Sequence, residues 1–333
     1  MRRPLGSLFG SLAALRVAAY RRGLLPRVRL RGPVVSVGNL GVGGSGKTPL
    51  VQRVAEMLRD EGLAVAVLSR GYRGRFRGEA LVVSDGASVL ADVEEAGDEP
   101  VMLAKALPGV VVAVGRRRDA VGRAVEARFG RRVHVLDDGF QHLRLERDLD
   151  LLCLDVRDLE DWPLPAGRLR EFPSAADRAD LVLLTRLEAA TPDGIRGLER
   201  RLGPGRTFRV RRRVVGWRRL DGGASPPPSR AFLLAGIARP ERLETDVAAA
   251  GVSVVGRAFF ADHHAWRGGE IADVLAAARG AGAEAVVTTA KDAVRLSQAP
   301  ELGLPLLVLE VAAEVEDEAR FRARLLQAVG RAA

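Results

Sequence analysis

The chain has 333 residues, of which 47% are hydrophobic and 28% charged, and its formal net charge is +10. This composition excludes a disordered chain, the single cysteine excludes a disulfide framework, and the absence of an 18-residue apolar run excludes a membrane-spanning helix. The positive charge favours anionic partners such as phosphates, acidic lipid headgroups or nucleic acid. The length favours two α/β domains over one compact core.

The first 31 residues carry eight arginines and no acidic residue. Apolar residues recur among them at helical spacing and predict an amphipathic helix with one apolar stripe; they are Leu5, Leu8, Phe9, Leu12, Leu15 and Ala19. Such a helix can lie in a bilayer interface, with its arginines on anionic headgroups. The alternative is a helix that packs on the protein's own core, and Gly6 and Gly10 weaken either helix.

From Gly32-Pro33 onward, short apolar runs alternate with helical patterns, which predicts a mostly parallel sheet covered by helices on both faces. The predicted strands of the first half are 34–38, 64–69, 80–84, 110–114, 133–136, 150–155 and 181–185, with helices at 48–61 and 97–107. A second α/β run has strands at 231–236, 252–260, 283–289 and 304–311 and helices at 268–280 and 317–330. The predicted division is a helix at 1–30, a P-loop NTPase-like domain at 31–206, a strand-like linker at 207–229 and a smaller α/β domain at 230–333.

A glycine-rich loop lies between the first predicted strand and the first helix of the sheet. Its sequence is GVGGSGKT, which matches the GxxxxGK(S/T) pattern in full and in the strand–loop–helix context that the pattern requires. The predicted phosphate-binding residues are Gly41, Val42, Gly43, Gly44, Ser45, Gly46, Lys47 and Thr48. In such a loop the lysine reaches the β and γ oxygens, and the threonine is a ligand of Mg²⁺. The alternative is a chance glycine-rich turn.

A pair of acids follows the strand VHVL at 133–136. Asp137 and Asp138 therefore lie at the carboxyl end of a strand, where one carboxylate can hold Mg²⁺ through water and the other can order the site. The alternative is that the acids only begin the turn at Gly139.

Three more polar stretches follow strands or begin helices, so they should gather at the carboxyl edge of the parallel sheet, where open α/β folds bind ligands. They are LSRGYRGR with Ser69, Arg70 and Tyr72, AGDEP with Asp98 and Glu99, and GRRRDA with Arg116, Arg117 and Arg118. A carboxylate for an incoming hydroxyl and arginines for charged oxygens are the groups that phosphoryl transfer requires.

These stretches carry a resemblance to a known family. GNLGVGGSGKTP, LSRGYRGR, GDEP, LDDGFQH, LPAGRLRE, AGIARPERL, FADHHAW and TTAKDAVRL occur in this chain in the order found in the tetraacyldisaccharide 4'-kinases. The resemblance covers nearly the whole chain. It implies transfer of the γ-phosphate of ATP, with Mg²⁺, to the 4'-hydroxyl of a tetraacylated disaccharide 1-phosphate to give lipid IVA. It also implies a protein held by its N-terminal helix on the cytoplasmic face of the inner membrane, with no nucleic-acid partner.

The resemblance also implies roles for individual residues. Asp98 resembles the catalytic carboxylate near the acceptor hydroxyl, and His263, chosen over His264 by motif position, resembles the histidine that assists it. Arg118, chosen over Arg116 and Arg117, resembles an arginine that faces the transferred phosphate. The other implied site residues are Lys47, Thr48, Asp137 and Asp138 at the phosphates and metal, and Ser69, Arg70, Tyr72 and Glu171 at the substrate. Arg168 stands where the family usually has proline, which leaves the conformation of that loop open.

Two other classes of protein are compatible with parts of the sequence. TTAKD at 288–292 is superficially similar to the guanine-reading NKxD loop of a GTPase switch, but it lies in the second half and lacks the asparagine. The high positive charge is compatible with a nucleic-acid-binding ATPase, but only 5% of the residues are aromatic, which leaves little surface for base stacking.

Overall fold

The computed structural model describes residues 2–43, 46–296 and 303–330. The helices are α1 (Arg2–Arg21), α2 (Lys47–Asp60), α3 (Val93–Ala96), α4 (Asp98–Ala106), α5 (Arg118–Phe129), α6 (Pro192–Leu202), α7 (Glu241–Ala249), α8 (Gly268–Gly280), α9 (Ala290–Leu296) and α10 (Glu318–Gly330). The strands are β1 (Val34–Gly38), β2 (Val65–Ser69), β3 (Leu81–Ser84), β4 (Val111–Val114), β5 (Val133–Asp137), β6 (Leu149–Asp155), β7 (Leu181–Thr185), β8 (Thr207–Arg219), β9 (Ala224–Ser225), β10 (Arg230–Ala235), β11 (Ser253–Phe259), β12 (Ala285–Thr289) and β13 (Leu306–Val315).

Across the described residues the strands form one sheet in the order β11-β10-β12-β13-β8-β7-β6-β1-β5-β2-β4-β3, with β9 paired to β8. Neighbours are parallel except β8 with β13, β8 with β9, and β3 with β4. The central strands are buried along their whole length, because helices cover both faces. The predicted mostly parallel α/β sheet with a P-loop NTPase-like arrangement is therefore confirmed.

The strand β8 connects the two halves of the sheet. Its first three residues, 207–209, pair with β7 in parallel, and residues 210–219 pair antiparallel with β13. The sequence predicts an exposed strand in a linker here. The structure has a strand, and residues 211–213 and Val215 are exposed, but β8 lies inside the sheet and its Phe208, Val210 and Trp217 are buried in the core. The many arginines of β8 make its buried positions hard to recognise in the sequence. Several of these arginines pair with acidic side chains, such as Arg209 with Glu199. The domain boundaries stay a prediction.

The buried carboxylate of Glu126 on α5 fixes the start of β1. It accepts hydrogen bonds from the backbone N–H of Gly32 at 2.7 Å and of Arg31 at 3.2 Å, and from His134 Nε2 at 3.1 Å. Burial alone would raise the pKa of Glu126, but these hydrogen bonds outweigh it and lower the pKa to about 2. The folded state therefore favours the ionised form of the Glu126 carboxyl group.

Glu126→Gln is expected to lower the free energy of unfolding by about 2 kcal/mol at pH 7, because buried donors lose a charged acceptor. The folded-state pKa of about 2 lies below the ordinary glutamate value of 4.5, so this stabilisation is present above pH 4.5 and is lost as the pH falls toward 2. Denaturant titrations between pH 7 and pH 3 should therefore show the free energy of unfolding of the wild type falling toward that of the variant. The control Glu146→Gln, at an exposed pair with Arg29, should change little, and equal stability of the Glu126 variant at pH 7 would contradict the assignment.

Candidate active site at the carboxyl edge of the sheet

The glycine-rich loop joins β1 to α2 at the carboxyl edge of the sheet. Gly46, with φ of 84°, directly precedes α2, and Gly43 has φ of 94°, so both glycines adopt a left-handed backbone that other residues disfavour. Backbone N–H groups at the start of α2, with the positive end of the helix dipole, form an anion-binding position. Gly44 and Ser45 of the predicted loop lie outside the described residues.

Lys47 is the first residue of α2 and lies against the second acid of the predicted pair. Its Nζ donates to Asn39 Oδ1 at 2.9 Å and contacts Asp138 Oδ1, while Arg170 Nη1 donates to Asp138 Oδ2 at 2.8 Å. Burial alone would raise the pKa of Asp138, but Lys47 and Arg170 outweigh it and lower the pKa to about 2. Asp138 is thus ionised, and its φ of 56° is a strained value of the kind found at functional sites.

Asp137, at the end of β5, has a different environment. It is 3% exposed, and its carboxylate accepts a hydrogen bond from Ser69 Oγ at 2.9 Å. Burial and the nearby carboxylate of Glu99 raise its pKa to about 7, since Lys47 lowers it only in part. A buried carboxylate with this little compensation fits a position next to a cation.

These side chains fit a Mg²⁺ ion that is held mainly by phosphate oxygens and water. Mg²⁺ in phosphoryl-transfer sites takes only one or two protein ligands, and Asp137 and Thr48 lie near the loop that would hold the phosphates. Among the described residues, no group of three or more His, Cys, Asp or Glu side chains is arranged to hold a metal by itself. This part of the chain therefore does not form an all-protein metal cage.

Asp98 begins α4 and meets side chains from the second half of the chain. His263 Nδ1 lies 2.7 Å from Asp98 Oδ2, and Arg295 Nε donates to Asp98 Oδ1 at 2.6 Å. Burial alone would raise the pKa of Asp98, but His263 and Arg295 outweigh it and lower the pKa. Asp98 is 3% exposed and ionised, and the pair is complete only where the two halves of the chain meet.

The two adjacent histidines have different surroundings. His263, with φ of 63°, contacts Asp98, and its ring lies 5.6 Å from the ring of Tyr72. His264 instead bonds to Glu270 through Nε2 at 2.9 Å and stacks on Phe260. The residue that the structure brings to Asp98 is therefore His263.

The predicted arginines are also distinguished by their surroundings. Arg118 is buried, and its pKa is lowered by burial and by the charge of Arg70, while Asp138 and Asp137 act in the opposite direction. Its Nε has no partner among the described residues. Arg117 is exposed and pairs with Asp119 at 2.9 Å, away from these carboxylates. Of the two, Arg118 is therefore the arginine near Asp137 and Asp138.

Glu171 is buried and is held by other side chains of the protein. Both of its oxygens are bound by Arg178, at 2.5 Å and 2.7 Å, and Gln141 Nε2 donates to it at 3.0 Å. Gln141 also donates to the carbonyl of Asn39 and accepts from Arg170. Glu171 thus supports the residues around Asp138, and its contact with substrate stays a prediction.

Arg168, the departure from the family pattern, joins two neighbouring loops. Its Nε donates to Asp161 Oδ2 at 3.0 Å, and its carbonyl accepts from the N–H of Val42 at 2.8 Å. The side chain lines a cavity of about 520 Å³ that also receives Arg157, Arg186 and Arg239. Arg168 therefore connects the turn beside the phosphate loop to Asp161 and places a cation in this cavity.

Sequence reasoning did not assign roles to four of these side chains. All four lie within the motifs that carry the family resemblance; they are Arg170, Gln141, Lys291 and Arg295. The sequence signal for each was a charged or amide side chain within such a motif. Lys291 Nζ lies 3.2 Å from His263 Nε2 and donates to Asp262 Oδ1 at 2.9 Å. Asp292 is buried and accepts from the N–H of Gly236, so TTAKD here joins the ends of β10 and β12.

A sheet of this order, with a lysine between a glycine-rich loop and strand-end carboxylates, is typical of the P-loop kinases. The family model described as Tetraacyldisaccharide-1-P 4'-kinase matches residues 1–330. The chain belongs to this family.

Individual relatives agree with the family match. A protein of Anaeromyxobacter sp. (strain K) named tetraacyldisaccharide 4'-kinase is 45% identical over 302 residues, which cover 87% of this chain and 79% of the relative. One of Geobacter metallireducens with the same name is 42% identical, covering 85% and 84% of the two chains. The crystal structure of LpxK from Aquifex aeolicus in complex with ATP superposes with a TM-score of 0.79 at 30% identity, covering 98% and 97%.

Proposed function

We propose that the protein transfers the γ-phosphate of ATP to the 4'-hydroxyl of tetraacyldisaccharide 1-phosphate, which gives lipid IVA in lipid A biosynthesis. The observation that carries this proposal is the family match over residues 1–330. The geometry supports it, because the lysine of the phosphate loop and the Asp98–His263 pair lie at one edge of the sheet. The donor and acceptor groups of a phosphoryl transfer can therefore meet there.

The donor half of the site consists of the residues around the phosphate loop. Gly41 to Thr48 would hold the phosphates through backbone N–H groups, and Lys47 and Arg118 would neutralise the charge that develops on the transferred group. Thr48, Asp137 and Asp138 would hold Mg²⁺, which supplies charge neutralisation at the β and γ oxygens when it is bound.

The acceptor half consists of Asp98 and its partners. Phosphoryl transfer passes through a loose transition state, so the hydroxyl needs orientation more than complete deprotonation. Asp98 would accept a hydrogen bond from the 4'-hydroxyl and take its proton as transfer proceeds, and His263 would hold the carboxylate in place. Ser69, Arg70, Tyr72 and Glu171 are the proposed substrate residues, and the exposed ring of Tyr72 beside His263 supports this for one of them.

The N-terminal helix supports docking on an anionic membrane surface. α1 packs on the protein through Gly6 and Gly10, where an added Cβ would lie 2.7 Å from Ala166 Cβ and 2.6 Å from the Phe172 ring. Its apolar stripe instead faces outward, and the exposed residues are Leu5, Leu8, Phe9, Leu12 and Leu15. None of the described helices is long and apolar enough to cross a bilayer. We therefore infer a peripheral position on the cytoplasmic face of the inner membrane, where the lipid substrate lies.

Removing the outward leucines should release the protein from membranes. The triple variant Leu8→Ser, Leu12→Ser, Leu15→Ser is expected to bind anionic phospholipid vesicles about a hundredfold more weakly, because each leucine contributes buried apolar area in the interface. Vesicle co-sedimentation measures this. A matched triple elsewhere on the surface, Val89→Ser, Leu90→Ser, Val215→Ser, should bind as the wild type does. Equal binding by all three proteins would contradict the role of α1.

A direct assay tests the proposed activity. Purified protein is incubated with γ-labelled ATP, Mg²⁺ and tetraacyldisaccharide 1-phosphate in detergent, and the lipids are separated. We expect a labelled bisphosphorylated lipid. Failure to form it while ATP binding is intact would overturn the proposed function, and a preference for GTP over ATP would favour a GTPase switch instead.

A further inference from the structure

Two cations on α9, Lys291 and Arg295, lie at the Asp98–His263 pair. α9 packs against α4, so the carboxylate on α4 meets two side chains that come from the second half of the chain, His263 and Arg295. Both cations are mostly buried, with side-chain exposures of 18% and 16%. Buried charges at this position need a reason beyond solubility, because their desolvation is costly.

Lys291 determines which nitrogen of His263 carries the ring proton. An ammonium only donates hydrogen bonds, so His263 Nε2, 3.2 Å from Lys291 Nζ, must accept. The proton of the neutral ring then lies on Nδ1 and is donated to Asp98 Oδ2 at 2.7 Å. The longer contact of 3.4 Å between Nδ1 and Arg295 Nη2 does not compete with this charged acceptor.

Asp262 makes the contribution of Lys291 more specific. Its Oδ1 accepts from Lys291 Nζ at 2.9 Å, and its Oδ2 lies 3.6 Å from His263 Nε2. Without the ammonium, Nε2 would face a carboxylate, and a proton on Nε2 would be favoured. If the single ring proton moved to Nε2 in this way, Nδ1 would present a lone pair to Asp98, and the two groups would repel each other.

Arg295 fixes the other oxygen of the same carboxylate. Its Nε and Nη2 lie 2.6 Å and 2.5 Å from Asp98 Oδ1, and its Nη1 donates to the carbonyl of His264 at 2.9 Å. One guanidinium therefore holds the rotamer of Asp98 and the backbone that carries His263. The fork geometry is specific to arginine and a lysine reproduces only its charge.

We propose that Lys291 and Arg295 are positioning residues for the acceptor half of the site: Lys291 sets the tautomer of His263, and Arg295 sets the orientation of the Asp98 carboxylate. This inference rests on the proposed function for its kinetic consequences, but its structural part has a readout that is independent of activity. Neither residue needs to touch the substrate or ATP.

The tautomer is measurable by nitrogen-15 NMR of histidine-labelled protein, since the chain has only four histidines. His263→Gln assigns the signals. In the wild type we expect His263 to show a protonated Nδ1 and an unprotonated Nε2, and in Lys291→Met a protonated Nε2. The same variant should lose about tenfold or more in kcat at an unchanged KM for ATP. Retention of the wild-type tautomer in Lys291→Met would overturn the role of Lys291.

Arg295 is tested through the pH profile of kcat. The charged groups that face Asp98 are His263 and Arg295, with Lys291 and Asp262 behind the ring and Glu99 adjacent in sequence. The positive charge of Arg295 offsets part of the effect of burial on Asp98. Without the guanidinium the pKa of Asp98 therefore rises, and its protonated form persists to higher pH. In Arg295→Ala the acidic limb of the profile should move to higher pH, and Arg295→Lys should restore part of the shift.

A matched control and a clear separation from the proposed function complete the test. Arg279→Ala, at an exposed position on α8, should keep the wild-type profile. An unshifted acidic limb in Arg295→Ala would overturn the role of Arg295. If the wild type forms no bisphosphorylated lipid, the proposed function fails, whereas the NMR comparison still decides whether Lys291 sets the tautomer.

Discussion

Asp98→Asn is expected to lower kcat by about 10³-fold, because the amide keeps the shape of the carboxylate but cannot take a proton from the acceptor hydroxyl. The dissociation constant for ATP should change less than about twofold, since the proposed phosphate site is the loop before α2 and not α4. Turnover at saturating substrates and binding of a fluorescent ATP analogue measure the two quantities separately. The variant should fold, because asparagine can still accept from Arg295.

Two further variants make this expectation specific. His263→Ala should also lower kcat much more than it weakens ATP binding, because Asp98 loses the partner that lies 2.7 Å away. Asp193→Asn changes an exposed aspartate on α6 and should leave both quantities as in the wild type. If turnover is unchanged in the Asp98 or the His263 variant, that residue has no part in the mechanism.

Lys47→Met should lower kcat/KM for ATP by about 10³-fold, the loss typical of removing one charged donor from the transferred group. The ammonium contacts Asn39 and Asp138 in this structure, and without it the acids Asp137 and Asp138 would repel the phosphates. Steady-state kinetics with ATP as the varied substrate measures the loss. Arginine should not restore activity, because a planar guanidinium cannot replace a compact ammonium at this position.

The chain offers a matched control for this lysine. It has only three lysines, and Lys105 lies exposed in the last turn of α4. Lys105→Met removes the same charge and should retain wild-type kinetics. A Lys47→Met enzyme within tenfold of the wild type would show that the phosphate loop acts without its lysine, contrary to the proposed mechanism.

Much of the fold followed from local patterns. Strands such as 34–38 and 181–185 are short apolar runs between polar turns, and the structure has β1 and β7 at these positions. The contact between Ser69 and Asp137 also followed, because parallel strands bring their carboxyl ends to one edge. These features depend on sequence period and on a general rule of topology.

Contacts over long sequence distances did not follow from local patterns. Arg295 reaches Asp98 across 197 positions, and that contact depends on how α9 packs against α4. Gly6 and Gly10 weaken a helix locally, but in the structure they are the buried residues of α1, packed against Ala166 and Phe172. The burial of β8 was hidden because its arginines find acidic partners on neighbouring elements. In each case the contact depends on tertiary packing, which a local sequence pattern does not predict.

The central claim is transfer to the 4'-hydroxyl oriented by Asp98. It is tested most directly by comparing tetraacyldisaccharide 1-phosphate with its 4'-deoxy analogue under identical conditions, with the phosphorylated position determined by mass spectrometry and phosphorus-31 NMR. We expect one new phosphate monoester at the 4'-position of the natural acceptor and none on the deoxy analogue. A phosphorylated product from the deoxy analogue, or a phosphate at another hydroxyl of the natural acceptor, would contradict it.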